Sequence, residues 1–159
     1  MKAISKINNT LAKIEGAVMV FWFAIVLVVM TCQVVSRYIF NAPIAWSEEF
    51  ARYSFVWISY IGCAYCVSVD AHTGITAFRD ALPPKAKKLT TVLGNVVVMI
   101  VFIRLLPIAM KFIGKNSKFL TSMMRIPFKY LYYSLPVGCV LTVVHLILKS
   151  ILLFAPDTI

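Results

Sequence analysis

Four apolar runs alternate with short charged connectors along this chain. Residues 16–36 carry no charge and are about 20 long, enough at about 1.5 Å per residue to cross a hydrocarbon core of about 30 Å. Residues 53–69 form a second uncharged run, at about 17 residues the lower limit for a span. Helix is expected to start upstream of it, carrying residues 46–52 through the headgroup zone. A third run, 89–110, is interrupted by Arg104, and a fourth, 130–148, contains Pro136 and His145. Lipid-facing backbone must hydrogen-bond within itself, so each run is read as a helix. The pattern predicts an all-α integral membrane protein. It has one domain over 1–159, with four transmembrane helices at about 16–36, 50–69, 89–110 and 130–150 and short interfacial amphipathic segments.

The connectors refine this picture. Asn41 is expected to cap the second helix, with Pro43 in its first turn. Glu48 and Glu49 then fall in early turns, where the positive end of the helix dipole favours carboxylates. Trp46 and Trp57 flank them, and Trp46 suits an interfacial anchor. In the 70–88 connector, Pro84 suits the first turn of the third helix, because a first-turn residue needs no N–H. Between 111 and 127, Lys111, Lys115, Lys118 and Arg125 recur at helical intervals, and Phe112, Phe119, Met123 and Ile126 form a second stripe. That predicts an amphipathic interfacial helix with a cationic face, shortened by Gly114, Asn116 and Ser117.

Composition agrees with a lipid solvent. The chain is 61% hydrophobic and only 14% charged, with a mean hydropathy of +0.87, against about a quarter charged in soluble domains. Sixteen Lys and Arg face six Asp and Glu, a net charge of +10. In this setting the excess points to anionic headgroups or an acidic protein partner rather than nucleic acid. Lys2, Lys6 and Lys13 give a basic start, but the apolar run that follows is about twice a short signal-peptide core and lacks a small-x-small site. It is read as a retained span. Positive charge is nearly balanced between the two sides of a four-span topology, so charge alone does not set orientation.

Candidate chemistry is sparse. Cys63 and Cys66 have C-x-x-C spacing but lie mid-run without a second pair, which favours small packing residues over a thiol–quinone oxidoreductase. An autonomous small exporter would want an acid well inside a span, whereas Glu15 lies at the edge of the first. His145 reads as a buried hydrogen-bonding residue. Arg104 is the most costly charge in the apolar runs; it either snorkels to the headgroups or pairs with Glu48 or Glu49 from the second helix.

The block Arg37-Tyr38-x-Phe40-Asn41-x-Pro43-x-x-Trp46-Ser47-Glu48-Glu49-x-x-Arg52-Tyr53 resembles the signature of the small membrane subunit of TRAP (tripartite ATP-independent periplasmic) transporters, the DctQ-like family. Trp57, Gly62, His72, Leu82-Pro83, Ile126-Pro127, Tyr130 and Leu135-Pro136 extend the likeness over roughly residues 16–148. The resemblance implies a non-catalytic scaffold subunit in the bacterial inner membrane, with both termini cytoplasmic. It implies a larger membrane subunit that carries the substrate and sodium sites, and a periplasmic binding protein that delivers an organic acid such as a C4-dicarboxylate or sialic acid. No cofactor is expected in this chain, and His72 would lie in a cytoplasmic loop. Arg37, Asn41, Trp46, Glu48, Glu49, Arg52, Trp57 and Arg104 become candidates for the partner-subunit interface or interfacial anchoring. Lys111, Lys115, Lys118, Arg125 and Lys129 become candidates for docking the binding protein or lipid headgroups.

Overall fold

A computed structural model describes residues 2–69 and 83–154. Helix α1 covers Lys2–Ile39, α2 Ala45–Ser68, α3 Pro84–Asn116, α4 Lys129–Tyr132 and α5 Ser134–Phe154. The first apolar run thus lies inside a much longer helix of 38 residues, about 57 Å from end to end. α3 has 33 residues, opens with Pro83 at the N-cap and Pro84 in the first turn as expected, and tolerates Pro107 in its interior.

Three segments are long and apolar enough to cross a bilayer: Ile4–Ile39, Leu89–Asn116 and Lys129–Leu152. α2 is not among them, so three of the expected four meet this measure of length and composition. The reason is compositional. Glu48, Glu49 and Arg52 occupy its first turns, and Ser and Tyr side chains recur along the rest. Its position accommodates that polarity, because α2 packs along both α1 and α5. Its buried residues are small, Ser47, Ala51, Ser54, Ala64, Val67 and Ser68, the kind that let membrane helices approach closely.

α1, α2 and α5 pack on one another, and α3 lies against α5 alone among these long helices. Among the described residues α3 touches neither α1 nor α2. α2 and α5 approach closely at Gly138. A Cβ on Gly138 would sit 2.8 Å from the Tyr60 Cβ and 3.0 Å from the Tyr60 carbonyl oxygen, so a glycine is required there. The outer helices bury little: 11% of the apolar window in α1 and in α3, against 33% in the segment containing α5. The rest of both helices faces lipid or another protein.

Candidate functional site

The end of the molecule that holds Glu48 and Glu49 is built around a chain reversal. α1 stops at Ile39, and Asn41 follows with a φ of 48°, a left-handed conformation that its short side chain tolerates. The Ser36 carbonyl accepts from the N–H groups of Phe40 and Ala42, both at 3.2 Å. Asn41 therefore ends α1 instead of capping α2. The α2 N-cap is Ile44, which makes no side-chain capping bond; the Ser47 hydroxyl instead donates back to the Ile44 carbonyl at 2.6 Å. Local turn chemistry has placed Asn41 where glycine more often stands.

The two glutamates have different tasks. Glu48 lies in the first turn of α2, where Gln33 of α1 donates to it at 3.1 Å and the Arg37 guanidinium lies 3.7 Å away. Both charges are more than half exposed, so the ion pair contributes little by itself; buried Gln33 supplies the fixed contact. Glu49 reaches across to the connector after α3. Its carboxylate accepts from the main-chain N–H groups of Ser122 at 3.1 Å, Met123 at 3.0 Å and Met124 at 2.8 Å, and from the Tyr53 hydroxyl at 2.8 Å. Consecutive N–H groups of this kind form an anion-binding nest. Desolvation pushes the Glu49 carboxyl upward, but the bonds from Met124, Tyr53, Met123 and Ser122 outweigh it and hold it below its ordinary value of 4.5.

That connector is a hairpin-like turn and not the expected amphipathic helix. α3 ends at Asn116, where the Asn116 side chain donates to the Phe112 carbonyl and the Ser117 hydroxyl to the Gly114 carbonyl. These residues supply partners to the last helical carbonyls and stop propagation. The chain then folds back: Thr121 N–H donates to the Ile126 carbonyl at 3.0 Å and Phe128 N–H to the Phe119 carbonyl at 2.9 Å. The Thr121 hydroxyl accepts from Ile126 N–H at 2.9 Å, and Arg125 turns the corner with a φ of 51°. Edge-on and stacked rings run from Tyr53 through Phe128 and Tyr132 to Phe112. The hairpin is thereby fastened to α2 by Glu49 and to α3 by aromatic contact.

Lys111, Lys115, Lys118 and Arg125 are exposed around this hairpin, beside exposed Phe119, Leu120 and Met123. Lys129 is half-buried, with its ammonium 5.2 Å from the Tyr130 ring centre. Arg52 is exposed. Trp46 is exposed and meets Phe50 edge-on. Trp57 is half-buried and lines an apolar cavity of about 320 Å³ with Val18, Met19, Trp22, Ile58 and Ile61. Arg104 is exposed and makes no ion pair among the described residues. Of the two alternatives for Arg104, the pairing with Glu48 or Glu49 does not form within the chain, because both carboxylates are held by nearer groups. His72 lies outside the described residues.

At the opposite end, a buried polar group joins α1 to α5. His145 Nδ1 lies 2.7 Å from the Asn8 side-chain oxygen, and Nε2 lies 3.1 Å from both Glu15 oxygens. All three residues are buried, so each depends on the others for hydrogen bonding. His145 matches its reading as a buried hydrogen-bonding residue. Asn8 and Glu15 were missed as its partners; their spacing of seven, one helical face, was the available signal. Cys63 and Cys66 are free and half-buried, and no group of three metal-ligating side chains meets among the described residues.

A family model described as "Tripartite ATP-independent periplasmic transporters, DctQ component" matches residues 16–155. The chain is 32% identical over 143 residues to the sialic acid TRAP transporter small permease protein SiaQ of Vibrio cholerae, covering 90% of this chain and 81% of that relative. It is 26% identical over 141 residues to the sialic acid TRAP transporter permease protein SiaT of Haemophilus influenzae, covering 89% of this chain but only 22% of SiaT. The C4-dicarboxylate TRAP transporter small permease protein DctQ of Vibrio cholerae is 25% identical over 85 residues, 54% of this chain and 37% of the relative.

Proposed function

The chain belongs to the DctQ component family of tripartite ATP-independent periplasmic transporters and is a small TRAP permease subunit; from that premise we propose that it is a non-transporting, non-catalytic scaffold. It stands in the bacterial inner membrane beside a larger permease subunit. That subunit holds the substrate and sodium sites, and a periplasmic binding protein supplies an organic acid. Sialic acid is the first choice of substrate and a C4-dicarboxylate the second, following the relatives' names. The fraction of SiaT that this chain matches supports the partnership, since most of that permease lies beyond the match.

One observation carries the scaffold reading. Glu15, Glu48 and Glu49 are the carboxylates among the described residues, and each is engaged by this chain's own side chains or backbone. None is left to coordinate sodium. The clasps they form join α1 to α5, α1 to α2, and α2 to the hairpin, which suits a stationary frame.

With α2, folded back along α1, taken as a fourth crossing, both termini are cytoplasmic and the hairpin is periplasmic. Exposed Lys115, Lys118 and Arg125 then attract an acidic patch on the binding protein and raise its rate of encounter. Neutralising all three is expected to slow association of the binding protein with the assembled transporter several-fold at low salt and little at high salt. Stopped-flow association across ionic strengths measures this. Equal slowing at every salt concentration would remove steering, and an unchanged rate would remove the hairpin from docking.

A further inference from the structure

We propose that the face of α3 turned away from α5 is where the larger permease subunit docks, through a transmembrane helix that sets a carboxylate against Arg104. This rests on the partnership proposed above. α3 packs on α5 through a stripe that includes buried Ala109 and Ile113. Leu93, Val97, Arg104, Ile108, Lys111 and Lys115 recur every three to seven residues on the opposite face, and all six are exposed.

Arg104 gives this face its specificity. It lies about 18 Å short of the helix end at Asn116 and about 10 Å below Lys111, inside the apolar part of the span. Side chains on a helix lean toward its N-terminus. The Arg104 stem therefore leans away from the nearer helix end and toward the middle of the span, which opposes escape to the hairpin-side headgroups. A guanidinium left in hydrocarbon calls for a partner at the same depth. This chain supplies none among its described residues, since Glu15, Glu48 and Glu49 are already engaged.

The charge also selects the occupant. A second copy of this chain meeting the same face isologously would set Arg104, Lys111 and Lys115 against themselves. Lipid tails offer no acceptor. A partner helix carrying Asp or Glu opposite Arg104, with polar or acidic residues near Lys111, matches the stripe within the span.

The test uses the full transporter, co-expressed in membranes, with a photoreactive benzoylphenylalanine placed at Val97 or Ile108 on α3, or at Val20 or Leu27 on α1, one position at a time. Adducts with the larger subunit are expected from the α3 positions and not from the α1 positions. Arg104→Glu should lower their yield about tenfold, and Arg104→Lys should retain most of it. Adducts from α1 alone overturn the assignment and leave the partnership standing. So do α3 adducts that join two copies of this chain, or α3 positions that stay silent while the larger subunit co-purifies. Loss of co-purification with no adducts from any position removes the partnership itself, and this inference with it.

Discussion

Four donors converge on the Glu49 carboxylate, and three of them are main-chain N–H groups more than seventy residues away. A carboxamide in its place offers a single acceptor oxygen and no charge. Glu49→Gln is therefore expected to destabilise the chain by about 1 kcal/mol or slightly more, at the low end because two of the backbone donors can reach water. The sign of the pH dependence follows from the depressed carboxyl. Its contribution is complete above 4.5 and is lost as pH falls through the lower folded-state value. Thermal midpoints in detergent should separate wild type from Glu49→Gln at pH 7, and the gap should close as pH falls below 4.5. A gap that does not change with pH would contradict the nest. At this scale sequence showed that two carboxylates lie early in α2, but not what they hold. Backbone N–H groups leave no pattern of residue types, so the nest was invisible. Asn41 was expected to cap α2, and its left-handed φ instead places it at the end of α1.

Among the elements, α2 and α5 are set by their closest contact, and α3 by its freedom. Gly138→Ala places a methyl group within 3.0 Å of Tyr60 backbone and is expected to cost about 1–3 kcal/mol by forcing the helices apart. Gly94→Ala on α3 meets nothing within 4 Å and is expected to be neutral or to stabilise by up to about 1 kcal/mol through helix propensity. Unfolding of the two variants of the isolated chain in detergent checks the contrast; equal effects would refute the close approach. Hydropathy placed the long helices well, because the apolar runs outlast their interruptions. α2 lacks a window as apolar as those of the other long helices because its buried face is small and partly polar and its partners cover it. The connector after α3 was read as an amphipathic helix from its cationic spacing. Gly114, Asn116 and Ser117 carried the opposing signal, and their bonds to the last turn of α3 prevailed.

For the whole molecule, the proposed partnership would use surface on the outer helices. α1 and α3 each leave most of an apolar surface uncovered within the chain, while the polar groups at the two ends hold neighbouring elements in place. Apolar runs alone do not encode which helix lies beside which. That order depends on positions such as Gly138, and on the pairing of His145 with Glu15 and Asn8. The resemblance spanning most of the chain was legible because the Arg37–Tyr53 block lies close together in sequence, and the family match now covers residues 16–155. The proposed scaffold role means that this subunit supports transport without performing it. Purified chain should be reconstituted into proteoliposomes with an inward sodium gradient, binding protein and labelled sialic acid, with and without the larger permease subunit. Uptake only when both subunits are present is the predicted result; uptake by this chain alone would contradict the account.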